Sequence, residues 1–332
     1  MLVRIDHSVQ RLRWKRDFMI EARGLTKSYG DKTAVDDLSF VVRPGMVTGF
    51  LGPNGAGKST TMRMIMGLDA PTKGSVIVNG KPYREHSAPL REVGALLEAR
   101  SIHTGRSAYN HLLALAQTSG IPRSRVEDVI DAVGLRHVAR KRAGGFSLGM
   151  GQRLGIATAL LGDPQTVVLD EPVNGLDPEG IRWIRELLRG LAAEGRTVFI
   201  SSHLMSEMSV TASHLIVIGR GRLIADMSVA DFIARAAHNV VRVRTTDAEG
   251  LRAALSGPDV TFTSATDGAL EVSGLTSDQI GMAAGACGIT LLELSPQHAS
   301  LEEAFMDLTH DDVEFQTGSA AQATPVVPGA TR

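Results

Sequence analysis

Hydrophobic and polar positions alternate along the first stretch of the chain. From Met19 through Ile20, Ala22 and Leu25, and again from Leu38 to Val42, the spacing is that of half-buried strands, and Pro44-Gly45 marks a turn. Met46 to Leu51 is a short apolar strand that runs straight into a glycine-rich loop. Helical periodicity then appears at Met62, Ile65 and Met66, ends at Gly67, and returns over Ser107 to Thr118 and Arg123 to Val133. After Gly151 a helix reaches Leu161 and stops at Asp163-Pro164, and the buried-type strand Thr166 to Leu169 follows. Asp177-Pro178 opens a helix whose apolar face is Ile181, Ile184, Leu188 and Leu191, with Asp177 as its cap and Pro178 at its first position. Strands Thr197 to Ser201 and Leu215 to Ile218 come next. Strands alternating with helices predict an α/β fold: a mainly parallel sheet covered on both faces, an N-terminal antiparallel β region, and a helical subdomain over about residues 99–160.

The pattern changes near residue 236. Val240 to Arg244, Val260 to Thr263, Leu270 to Val272 and Ile289 to Leu294 read as strands, and Ala248 to Leu255 and Ser277 to Ala286 as helices. Together with a capped helix opening at Ser300-Leu301-Glu302-Glu303, they predict a small α+β domain over 236–311 in a split βαβ arrangement. The larger domain is expected over 19–235. Residues 1–18 carry Arg4, Arg11, Arg13, Lys15 and Arg16 without an apolar core, and read as a basic, disordered extension rather than a secretory signal. Residues 312–332, rich in Gly, Ala, Thr and Pro, read as a disordered tail.

Composition narrows the function. No stretch approaches the roughly 18–20 apolar residues of a membrane-spanning helix. With 35 Lys and Arg against 36 Asp and Glu, the net charge of -1 argues against a surface built for nucleic acid, and 4% aromatic residues argue against base-stacking platforms. The single cysteine, Cys287, rules out an internal disulfide, and its flank of Gly285, Ala286, Gly288 and Ile289 predicts a buried structural thiol.

The loop Gly52-Pro53-Asn54-Gly55-Ala56-Gly57-Lys58-Ser59, followed by Thr60, has glycine, lysine and serine at every fixed position of a phosphate-binding loop, between a predicted strand and a predicted helix. Its glycines let successive N–H groups turn inward, the helix N-terminus adds positive potential, Lys58 reaches the β- and γ-phosphates, and Ser59 offers a hydroxyl to Mg2+. Strand Thr166 to Leu169 ends in Asp170-Glu171. Asp170 is a candidate Mg2+ ligand, and Glu171 the candidate to orient or deprotonate an attacking water.

With these in place, residues 19 to about 226 resemble the ATPase subunit of an ATP-binding cassette (ABC) transporter. Phe146-Ser147-Leu148-Gly149-Met150, continued by Gly151-Gln152-Arg153, is similar to the family signature L-S-G-G-Q, with Leu148 and Met150 departing from it. Asn174-Gly175-Leu176-Asp177 resembles the loop whose aspartate links two subunits, and His203 stands where the family has a γ-phosphate-sensing histidine. Tyr29 matches the aromatic that stacks on adenine, and Glu98 ends a strand where the family most often has glutamine.

The resemblance implies an ATP-hydrolysing motor that closes as a nucleotide sandwich with a second cassette, a homodimeric or paired subunit. Ser147, Gly149 and Asp177 then act on ATP held by the partner; Glu171 and His203 serve catalysis; Ser59, Asp170 and Glu98 surround Mg2+. It also implies a separate transmembrane permease subunit, attachment to the cytoplasmic face of the membrane, and no direct contact with nucleic acid. Glu98 and Ser147-Leu148-Gly149-Met150 together resemble the multidrug, bacitracin and lantibiotic exporter branch. A soluble ABC-type ATPase acting on ribosomes or DNA is the alternative. It fits less well, because each motif occurs once and no heptad run separates Ser59 from Phe146.

Overall fold

The structure is a computed structural model, and it describes residues 19–98, 102–236, 240–258, 260–265, 268–297 and 300–309. The extension and tail expected at the two ends lie outside the described residues.

Strand β1 (Ile20–Tyr29) sits between β2 (Lys32–Val42) and β4 (Lys73–Val78) in an antiparallel sheet, while β3 (Met46–Leu51) enters the main sheet and leads into α1 (Lys58–Ile65). Then follow α2 (Pro89–Glu92), β5 (Val93–Leu96), α3 (Ala108–Thr118), α4 (Arg123–Ala132) and α5 (Leu148–Leu160). The rest of the main sheet comes from β6 (Thr166–Leu169), β7 (Thr197–Ser201), β8 (His214–Gly219) and β9 (Arg222–Ser228), with α6 (Pro178–Ala193) and α7 (Met205–Thr211) in the connections and α8 (Val229–Ala236) after β9. Its order is β5-β6-β7-β3-β8-β9, parallel except for β9. The chain leaves β3, fills the far side of the sheet and returns through β7, then places β8 on the other flank of β3. The strand order therefore reverses at β3, the point of an open α/β sheet where a crevice forms beyond the carboxyl ends.

β6 and β7 are buried along their whole length, which is why they read as continuous apolar runs rather than alternating ones. Phe40 of β2, Phe50 of β3 and Phe199 of β7 meet with ring centroids 5.0–5.8 Å apart and lock the antiparallel sheet onto the main one.

A second, separate core belongs to β10 (Val240–Thr245), α9 (Ala248–Leu255), β11 (Thr261–Ser264), β12 (Leu270–Ser273), α10 (Ser277–Ala286) and β13 (Leu291–Gln297), in an antiparallel sheet ordered β11-β12-β10-β13. The element order and sheet order are those of a split βαβ unit. Two features differ from the sequence reading. Cys287 is exposed rather than buried. Helical periodicity puts it on the face of Ile280 and Ala284, but α10 ends there, and after the turn at Gly288 it is Ile289 that packs on the core.

Helix α11 (Leu301–Thr309), capped by reciprocal bonds between Ser300 and Glu303, does not join this second core. Its Leu301, Ala304 and Phe305 are buried in the larger core with Met205 and Met208 of α7 and Phe232 of α8. A strip at i, i+3 and i+4 specifies that a helix has a face to bury but not which surface receives it.

Truncating Phe305 to Ala should therefore destabilise the larger unit by about 3–5 kcal/mol, the range for a buried Phe. Denaturant unfolding followed through Trp183, in a Trp14→Phe background, checks this. An unchanged midpoint would mean that α11 contributes nothing there.

Candidate active site at the carboxyl ends of the parallel strands

The phosphate loop curls off the end of β3. Gly57 lies at φ 101, and a Cβ added there would be 2.5 Å from the carbonyl oxygen of Ala34, so only glycine passes. Lys58 is 8% exposed, and its Nζ donates to the carbonyl oxygens of Gly52 (2.5 Å) and Pro53 (3.2 Å). Burial pulls its pKa below the ordinary lysine value, and the negative charges of Glu171 and Asp170 oppose that shift. The cation is folded inside the loop, held by dipoles that a phosphate oxygen can replace.

Asp170 and Glu171 leave the end of β6. One oxygen of Asp170 accepts from Ser59 Oγ at 2.7 Å and the other from Ser201 Oγ at the end of β7, while its N–H donates to Leu96 O of β5 at 2.7 Å. Glu171 holds φ 51, an uncommon conformation for a residue with a Cβ that costs on the order of 1–3 kcal/mol unless its surroundings impose it. Its N–H donates to Ser201 Oγ (2.9 Å), and its carbonyl accepts from Gln152 Nε2 (3.1 Å). Glu171 Oε2 lies 2.7 Å from His203 Nδ1 and accepts from the His203 N–H at 3.3 Å.

A cavity of about 560 Å³ has Tyr29, Lys58, Ser59, Thr60, Gln152, Asp170 and Glu171 in its wall, along with the loop residues from Pro53 to Gly57. The Tyr29 hydroxyl donates to Asp69 Oδ2 at 3.0 Å, and Lys27 Nζ stands 4.9 Å from its ring centre, so the ring is held at the cavity mouth. Beyond β5, Glu98 shares a second recess of about 480 Å³ with Ser59, Asp170, Tyr83 and Ile102. Ser59, Asp170 and Glu98 form a hard oxygen donor set with neither thiol nor imidazole, which suits Mg2+.

Helix α5 begins at Leu148, three residues before the expected start at Gly151, because Ser147 caps it by accepting from the Met150 N–H at 3.3 Å. Residues 148 to 150 thus form the first helical turn. Ser147 and Leu148 line a recess of about 300 Å³ with Ile102 and Phe146, and neither borders the phosphate-loop cavity of their own chain. Asp177 caps α6 by accepting from the Gly180 N–H at 2.8 Å. No role was assigned from the sequence to Ser201 or Gln152, although Ser201 closes the strand before His203 and Gln152 stands in the continuation of the signature.

The profile of the ABC transporter family matches residues 35–174, and YhcH of Bacillus subtilis, an uncharacterized ABC transporter ATP-binding protein, is 41% identical over 216 residues, 64% of this chain and 71% of its own. The chain belongs to the ABC transporter ATP-binding proteins. As a member of that family it is an ATPase. A bacitracin transport ATP-binding protein, BcrA of Bacillus licheniformis, is 42% identical over 63% of this chain and 69% of its own. The lantibiotic transport ATP-binding protein SrtF of Streptococcus pyogenes is 37% identical over 63% of this chain and 90% of its own.

Among solved structures, an ATP-binding subunit of an ABC transporter superposes with a TM-score of 0.60 at 26% identity, covering 65% of this chain and 92% of that one. A dimeric ATP-binding cassette in a post-hydrolysis state, bound to ADP and phosphate, shares the fold with a TM-score of 0.58 over 63% of this chain and 98% of that one, at 24% identity. Residues 239–302 match a domain of unknown function.

The Gly57 geometry yields a direct test on this cassette. Gly57→Ala should weaken ATP binding by roughly 5- to 150-fold, the equivalent of about 1–3 kcal/mol of backbone strain, because the added Cβ must push the loop off Ala34. Titration with a fluorescent ATP analogue measures it, and wild-type affinity would show that the loop tolerates the change.

Proposed function

We propose that this chain is the ATPase motor of a two-part exporter whose cargo is a peptide antibiotic or a similarly amphiphilic drug. The observation that carries the motor reading is the convergence of Lys58, Ser59, Asp170, Glu171 and His203 beyond the ends of three adjacent strands, β6, β7 and β3. The cargo class rests on the relatives named for bacitracin and lantibiotic transport.

In this reading Lys58 and the first N–H groups of α1 bind the β- and γ-phosphates, and Tyr29 meets the adenine. Ser59, Asp170 and Glu98 are the residues that hold Mg2+, which when bound neutralises charge on the phosphate oxygens. The carboxylate of Glu171 orients the attacking water and takes its proton, a contribution of roughly 10²- to 10⁴-fold in rate. His203 keeps that carboxylate aimed through its 2.7 Å contact and offers its remaining ring nitrogen to the γ-phosphate.

Ser147 lines a recess separate from its own nucleotide cavity, and Gly149 borders neither, which supports the action of both on ATP held by a second cassette, with Asp177 at the junction. The relatives named as transport ATP-binding proteins support a separate permease that carries the membrane spans, with this chain docked at its cytoplasmic face; no helix among the described residues is long and apolar enough to cross a membrane. The docking site proposed for it is the recess containing Tyr83, Glu98 and Ile102, which touches Asp170 and Ser59 on its inner wall.

Two outcomes check the reading. Glu171→Gln should keep ATP binding, lose at least roughly 10²-fold in turnover and dimerise with ATP but not ADP, whereas Lys58→Ala should lose binding as well. Turnover within a few-fold of wild type for Glu171→Gln removes it from catalysis. A Cys287→Ala, Ile102→Cys protein should crosslink to a cytoplasmic loop of the permease with a yield that depends on ATP. Crosslinks formed only from a cysteine placed beyond residue 240 would move the docking surface to the smaller unit.

A further inference from the structure

The backbone of Glu171 is clamped from two sides, and one clamp belongs to the helix that the signature segment begins. The Ser201 hydroxyl, at the end of a buried strand, takes the Glu171 N–H, and the Gln152 amide, from the second turn of α5, donates to the Glu171 carbonyl. Gln152 is 1% exposed and borders the phosphate-loop cavity, and its Oε1 has no hydrogen-bond partner among the described residues. A buried amide oxygen left unpaired is a cost that a chain seldom bears without a reason. Here the amide makes a single directional bond, and that bond goes to the one peptide whose left-handed φ of 51 aims the candidate base.

Helix α5 carries Ser147 at its cap and Gln152 five residues further on, a rigid span of about 7.5 Å at 1.5 Å per residue. The first turn of the same helix presses on the loop that follows Glu171, because a Cβ at Gly149 would lie 2.8 Å from Gly175 O. A shift of the helix start is therefore felt at Glu171 through two connections, and only Gln152 reaches the residue itself.

We propose that Gln152 is a positioning residue: its bond to the Glu171 carbonyl holds the strained peptide that aims the carboxylate, and makes that aim depend on where the signature helix sits. The proposal rests on the reading of Glu171 as the group that handles the attacking water. A second cassette's ATP, bound at Ser147, then sets the geometry of hydrolysis in the site of the chain that supplies the serine.

The test is a double-mutant cycle on the full chain. Gln152→Met keeps the side-chain volume and removes the donor. It should lower kcat roughly 10- to 100-fold, as expected for misplacing a reacting group by a fraction of an ångström to an ångström, while KM and the affinity for a fluorescent ATP analogue stay within about threefold. In a Glu171→Gln background, where no carboxylate remains to be aimed, the same substitution should change the single-turnover rate by less than about twofold.

Equal fold-losses in both backgrounds would mean that Gln152 acts independently of Glu171, and an unchanged kcat in the wild-type background would mean that it positions nothing; either result overturns the proposal. If Glu171→Gln alone costs only a few-fold, it is the reading of Glu171 that fails, and the cycle separates the two. Should Gln152→Met not fold, Gln152→Leu removes the donor at similar volume and is carried through the same two backgrounds, where equal fold-losses would count against the bond.

Discussion

Three strand ends are tied together at Asp170, and the site exists because they are. Its carboxylate accepts from Ser59 at the start of α1 and from Ser201 at the end of β7, and its N–H bonds the last residue of β5. A carboxylate carried out of a buried strand is stable only when its oxygens find donors, and here the donors come from segments 111 and 31 residues away in the chain. The sheet supplies the registration. Because β6, β7 and β3 are parallel neighbours, their carboxyl ends lie side by side and deliver phosphate loop, acid pair and histidine to one crevice.

The rest of the architecture protects that registration. The Phe40, Phe50 and Phe199 cluster holds the antiparallel sheet against the strands that carry the phosphate loop and Ser201. An ion pair between Arg185 of α6 and Glu207 of α7 (2.6 Å) joins the helix capped by Asp177 to the one that follows His203, and α11 packs against α7 from the other end of the described chain. The helix behind His203 thus rests on residues that follow the smaller unit in the chain.

The elements whose information is local were legible in the sequence. Asp177-Pro178 announced the start of α6, Ser300 and Glu303 the start of α11, and the uninterrupted apolar runs announced β6 and β7 as buried strands. The phosphate loop was legible for the same reason, since Gly57 and Lys58 are dictated by a backbone curl within a few residues. Cys287 misled because an apolar flank does not say which residue of the turn faces inward: α10 ends beside it, and Ile289 takes the inner position.

What the sequence determined by itself was therefore the chemistry and its order along the chain: loop, signature, acid pair and histidine. Only the tertiary structure decided that Ser201 and Gln152 hold the Glu171 peptide from either side, that Ser147 lines a recess separate from its own nucleotide cavity, and that α11 leaves the smaller core for the larger one. Each of these depends on which surfaces meet across large separations in sequence. Periodicity and motif spacing are blind to that, because a hydrogen-bond donor or an apolar strip has the same local signature whatever it packs against.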